Sequence, residues 1–82
     1  MSNREEIMDK IQKIFRDNFD DPMLVVKNDT SAMDIEEWDS FEQINLVVAM
    51  EAEFKIKFNL IEVEELKNVG DMVDLILRKL EI

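Results

Sequence analysis

The stretch EEWDSFEQINLVVAME, Glu36 to Glu51, decides the fold. At about 100° per residue, Leu46, Val47, Met50 and Phe54 fall on one side of a helix running from Ser40 to Phe54. Phe41, Ile44, Val48 and Ala52 fall on the opposite side with Asn45, and Glu42, Glu51 and Glu53 border the two stripes. Asp39 with Glu42, or Ser40 with Gln43, can cap its start. The first stripe is a core face. The second has two readings. Either the helix is central and buried nearly all round, or the second stripe is a partner surface, apolar in the middle and acidic at the rim. The two are compatible, because a neighbouring loop can cover part of the stripe.

Working outward, Ile7, Met8, Ile11, Ile14 and Phe15 repeat at helical spacing and predict a first helix from Asn3 to Asp17. Ser2 with Glu5, or Asn3 with Glu6, offers a capping box there. Pro22 stops the continuation of this helix. Residues 18–38 then read as one long loop, pinned by Leu24, Val26, Met33 and Ile35. The run MLVV has strand-like residues but no partner strand. A short helix is predicted from Ile61 to Leu66, capped by Asn59 with Glu62. A last one runs from Val69 to Leu80, with Val69, Met72, Val73, Ile76, Leu77 and Leu80 as its stripe. Asp71 and Asp74 near its start, and Arg78 and Lys79 near its end, suit the helix dipole. The expected fold is all-α: a four-helix bundle of three main helices plus one short helix, with a long loop between helices one and two. Residues 1–82 form one domain.

Composition removes several functions. The 82 residues contain no Cys, so neither a disulfide framework nor a thiolate metal site is expected. There is also no His and no Tyr, and no side chain has an ordinary pKa near neutrality. A hydrolase triad lacks its base, and carboxylates on polar faces are poorly placed for acid–base work. The chain is therefore expected not to be an enzyme and to have no catalytic residues. The acidic loop lacks the central Gly and the terminal Glu of a calcium-binding loop, so no metal site is expected. A net charge of −10 repels nucleic acid. Apolar runs are too short to span a membrane. The N-terminus MSNREEIMDK carries charges where a secretory signal needs apolar residues, so a cytoplasmic protein is expected.

As an isolated dipeptide, Asp39-Ser40 is an ordinary helix cap. In context it is more. DSFEQINLVVAMEAEF resembles the start of the second helix of acyl carrier proteins, through Asp39, Ser40, Leu46, Val47, Ala49, Glu51, Glu53 and Phe54. The likeness continues through EVEELKNVGDMVDLI, at Leu66, Val69, Asp74 and Ile76, and covers essentially the whole chain. The resemblance implies that Ser40 receives 4′-phosphopantetheine from coenzyme A, through a phosphopantetheinyl transferase. An acyl intermediate then rides on the arm as a thioester and is presented to acyl-loading and acyl-processing enzymes in fatty-acid, polyketide or other specialised biosynthesis. A phosphodiester at a helix N-terminus is favourably placed. The resemblance also implies that the second stripe is read by partners with basic surfaces. Phe41, Ile44 and Val48 then serve as apolar contacts, and Asp39, Glu42, Glu51 and Glu64 meet Arg or Lys. The carrier itself is a monomer.

The sequence departs from the housekeeping pattern at several positions. Phe41 stands where leucine is common, and carriers of D-alanine often share this Asp-Ser-Phe. Trp38 stands where fatty-acid carriers have a small residue. Asn45, Ala52 and Lys57 stand where acidic residues are frequent. These departures point to a discrete, specialised carrier. An aminoacyl carrier of the D-alanine type is the alternative within the same chemistry, and an unmodified helical adaptor is the alternative outside it. Trp38 also suits a role in covering the core. The cargo and its length would depend on a cavity among Leu46, Phe54, Leu66, Val69 and Ile76. Because the charge is one-sided, self-repulsion should weaken the fold at low ionic strength. Added salt is expected to raise the melting temperature near neutral pH. An unchanged melting curve would show that the repulsion is unimportant.

Overall fold

Residues 4–80 are described by a computed structural model. Four helices follow one another: α1 (Arg4–Asn18), α2 (Ser40–Phe54), α3 (Leu60–Glu64) and α4 (Val69–Leu80). The expected all-α bundle is present, and α2 and α4 have the predicted bounds. The proposed start of α1 at Asn3, and its capping by Ser2 or Asn3, lie outside the described residues. The helix ends one residue later than expected, at Asn18. The third helix begins one residue early and is one turn and a fraction long, because Glu65 already serves as its C-cap.

Helix α1 packs on both α2 and α4. The core between them is built from the expected stripes: Ile7, Ile11 and Phe15 of α1, Leu46, Val47, Met50 and Phe54 of α2, and Val69, Met72, Val73 and Ile76 of α4. Burial of these side chains contributes about 1.5–3 kcal/mol each before the entropy of ordering is set against it. Asn59 accepts the Glu62 N–H at 2.8 Å while Glu62 accepts the Asn59 N–H at 2.9 Å, the capping box read from the sequence. Helix α4 has a cap that the sequence reading passed over: Asn68 Oδ1 accepts the Asp71 N–H at 2.8 Å. Helix α2 ends through Lys55, at φ 57°, whose N–H returns to the Glu51 carbonyl.

The long loop is held differently from the expectation. Val26 and Ile35 are buried and Leu24 is half-buried, but Met33 is 96% exposed and pins nothing. Loop and MLVV contain turns and no strand; the one bridge pairs Ser31 with Asn68. Polar bonds do the remaining work. Arg16 Nε donates to the Leu24 carbonyl at 2.6 Å, and the Val26 N–H donates to Gln12 Oε1 at 3.1 Å. The carbonyls of Thr30 and Asn28 accept from the N–H groups of Val69 and Gly70 at 2.9 and 2.8 Å. The two donors belong to the first turn of α4, where a helix has no carbonyl of its own to offer. The loop thus closes the exposed start of α4, and α4 fixes the loop.

Gly70 is needed for this closure. A Cβ at that position would lie 2.8 Å from the Asn28 carbonyl oxygen, a backbone atom. Alanine gains about 1 kcal/mol of helix propensity over glycine, but overpacking of this kind costs roughly 1–3 kcal/mol, and the shift also strains the Gly70–Asn28 bond. Gly70→Ala is expected to lower the melting temperature by several degrees. A rise instead would show that the loop yields without loss.

Candidate functional site

The site is set by how α2 begins. Asp39 is its N-cap, in extended conformation, and its carboxylate accepts the Glu42 N–H at 2.9 Å. Its backbone carbonyl accepts the Gln43 N–H, also at 2.9 Å. Of the two capping schemes left open by the sequence, the Asp39–Glu42 scheme is formed. Ser40 is therefore the first helical residue, exposed, and its hydroxyl makes no hydrogen bond among those described. The N–H groups of Ser40 and Phe41 have no described protein acceptor either. An exposed hydroxyl and two uncommitted donors meet at the positive end of a helix dipole.

Beside Ser40 opens a groove of about 550 Å³. Trp38, Ile44, Leu60, Val63 and Leu66 supply its apolar surface, and Asp39, Ser40, Gln43, Glu64 and Lys67 its polar groups. It runs between the start of α2 and the short α3. The residues expected around a cargo cavity are all buried. Leu46, Phe54, Val69 and Ile76 are buried in the core, and only Leu66 of that set borders the groove. Trp38 is buried, 5.1 Å from Phe15 between ring centroids at 82°, an edge-on contact. It covers the core as expected and lines the groove as well. Its indole Nε1 donates to Gln43 Oε1 at 2.7 Å.

The two-faced reading of α2 can now be decided. Phe41, Ile44 and Val48 are 70, 59 and 57% exposed, so the helix is not buried all round and the loop leaves this stripe open. Of the expected rim carboxylates, Asp39 and Glu64 are exposed and border the groove. Glu42 and Glu51 are half-buried and have work within the chain. Glu42 Oε1 accepts from Asn18 Nδ2 at 2.9 Å and Asn45 Nδ2 at 3.2 Å, and Glu51 Oε2 accepts the Phe58 N–H at 2.9 Å. The structure adds Leu60 and Ile61, both exposed on α3, which the sequence reading did not single out. Their signal was present: the five residues LIEVE carry more apolar positions than one short helix can bury. No helix among the described residues is long and apolar enough to cross a membrane. No cluster of potential metal ligands was found among them either.

An exposed serine at a capped helix start is thus flanked by an open apolar groove and an exposed apolar stripe. The sequence pattern of the family described as "Phosphopantetheine attachment site" matches residues 9–76. The acyl carrier protein of Thermosynechococcus vestitus is 36% identical over 78 residues, covering 94% of this chain and 95% of that one. The acyl carrier protein of Thermotoga maritima is 31% identical over 80 residues, covering 98% and 99%. In the solution structure of holo acyl carrier protein from Geobacter metallireducens, the superposition gives a TM-score of 0.84 at 49% identity, over 90% of this chain and 85% of that one. The chain belongs to the acyl carrier protein family, whose members carry a covalent phosphopantetheine. The residues at the start of α2 fit such a group: an uncommitted hydroxyl for the ester, free N–H groups for its phosphate, and a groove beside them.

The groove wall formed by α3 is tied down electrostatically. Glu62 takes the Asn59 N–H and an ion pair with Lys79 at 3.0 Å, and these hold its carboxyl below the ordinary glutamate range. A lowered folded pKa stabilises at neutral pH, and this stabilisation is lost as pH falls through the folded value. Glu62→Gln is therefore expected to lower the melting temperature near pH 7, and the gap to the parent should narrow as pH falls through and below the ordinary glutamate range. A gap independent of pH would show that the charge on Glu62 does not hold α3.

Proposed function

We propose that Ser40 is the attachment site of 4′-phosphopantetheine, delivered from coenzyme A by a phosphopantetheinyl transferase. The protein is then a single-domain cytoplasmic carrier that presents an acyl intermediate to loading and processing enzymes and performs no catalysis itself. The arm supplies the thiol that a cysteine-free chain lacks. One observation carries this reading: Asp39 alone caps α2, and the Ser40 hydroxyl is left exposed at the mouth of the groove. A serine needed as a cap would be committed to the backbone.

The partner surface in this reading is centred on Phe41, Ile44 and Val48, whose exposure supports it. Asp39 and Glu64 stand at its rim as carboxylates for Arg or Lys of a partner, with Glu42 and Glu51 contributing their remaining lone pairs. The one-sided charge of the chain favours basic partners over a second copy of itself, in keeping with a monomeric carrier. The pathway served is specialised biosynthesis in this reading, for which the departures at Trp38, Phe41 and Asn45 are the support.

Intact mass after incubation with coenzyme A and a broad-specificity transferase tests the assignment. The parent is expected to gain one phosphopantetheine and Ser40→Ala none. The Ser40→Ala melting curve should stay within about 0.5 kcal/mol of the parent, whereas Asp39→Ala should lose about 1 kcal/mol. An equal mass gain in Ser40→Ala would overturn the assignment. A large loss of stability in Ser40→Ala would return the serine to the role of a cap.

A further inference from the structure

We propose that Gln43, oriented by Trp38, is a positioning residue that donates a hydrogen bond to a carbonyl oxygen of the arm as it lies in the groove. The inference rests on the reading of Ser40 as the attachment site. It begins with the indole of Trp38, which can only donate. Its Nε1 meets Gln43 Oε1 at 2.7 Å, so the amide of Gln43 has one orientation, with the oxygen toward the indole and the NH2 group away from it. Trp38 is itself fixed by burial and by its edge-on contact with Phe15. Gln43 is half-buried, borders the groove together with Ser40, and its Nε2 has no acceptor among the described hydrogen bonds. A half-buried amide with one end locked and the other uncommitted is a preorganised donor.

The chemistry of the groove selects the acceptor. Asp39 and Glu64 outnumber Lys67 at its border and the chain carries a net charge of −10, so a carboxylate is disfavoured there. A neutral carbonyl is not. The phosphopantetheine arm offers two amide carbonyls, separated by methylene segments that suit the walls of Ile44, Val63 and Leu66. Tethering at Ser40 gives these carbonyls a high local concentration, so one hydrogen bond suffices to bias the arm between docked and free. Gln43 then sets the fraction of time for which the arm lies along the protein or is released to a partner.

The test uses holo-protein made with isotope-labelled coenzyme A. Two variants separate the donor from its setting. Gln43→Glu keeps an acceptor for the Trp38 indole and removes the NH2 donor, while Gln43→Met removes both without adding charge. In the parent, the arm's amide resonances should differ from those of free pantetheine and show contacts to the methyl groups of Ile44 and Val63. In both variants the docked population should fall about threefold to tenfold, as expected for one hydrogen bond. Trp38 emission of apo Gln43→Glu should match the parent. Parent arm resonances that coincide with free pantetheine would overturn the proposal, as would docking that survives in either variant. Failure to gain the arm by mass would overturn the Ser40 assignment and this proposal together. A normal mass gain with a freely tumbling arm would overturn this proposal alone.

Discussion

The bond from the Glu42 N–H to the Asp39 carboxylate is the constraint on which the site depends. It caps α2 one residue before the serine and satisfies one of the donors a helix start leaves open. Were Ser40 the cap, its hydroxyl would face back onto the backbone and the serine would stand outside the helix. Because Asp39 takes that role, Ser40 becomes the first helical residue with nothing asked of its side chain. Trp38 secures the same point from below. Buried against Phe15 of α1, and with its N–H donating to the Ile35 carbonyl at 3.1 Å, it holds the residue before the cap onto the core.

The loop matters for a second reason. It occupies the first turn of α4 through the carbonyls of Asn28 and Thr30. Arg4 reinforces the join, reaching Asn28 Oδ1 at 3.0 Å and pairing with Asp74. The loop is therefore committed to the end of the molecule where α1 and α4 meet, and it leaves the outer stripe of α2 uncovered. The two readings of that stripe differed on what the loop would do. The answer lay in hydrogen bonds between residues about forty positions apart.

This also explains what was legible in the sequence. The helices were, because apolar spacing at 3.6 residues and local caps such as Asn59 with Glu62 are written within a few residues. The family was, because the residues around Ser40 reproduce a recognisable pattern. The loop anchors were not. Gln12 to Val26, Arg16 to Leu24 and Thr30 to Val69 are polar contacts that each use at least one backbone atom, which every residue possesses. Met33 was misjudged because hydrophobicity alone does not say whether a loop residue turns inward.

The acidity of the chain acquires a finer meaning from the same geometry. Counted as net charge, the carboxylates look like one undifferentiated attraction for basic partners. In place, they divide. Glu62 holds α3 through Asn59 and Lys79, Glu51 holds the segment after α2 through Phe58, and Glu42 joins α2 to the end of α1 through Asn18. Each of these carboxylates fixes a border of the site. Asp39 and Glu64, by contrast, are exposed and border the same groove as Ser40 and Ile44. In the proposed reading, a basic partner is drawn to these free carboxylates by long-range charge and held by short-range apolar contact.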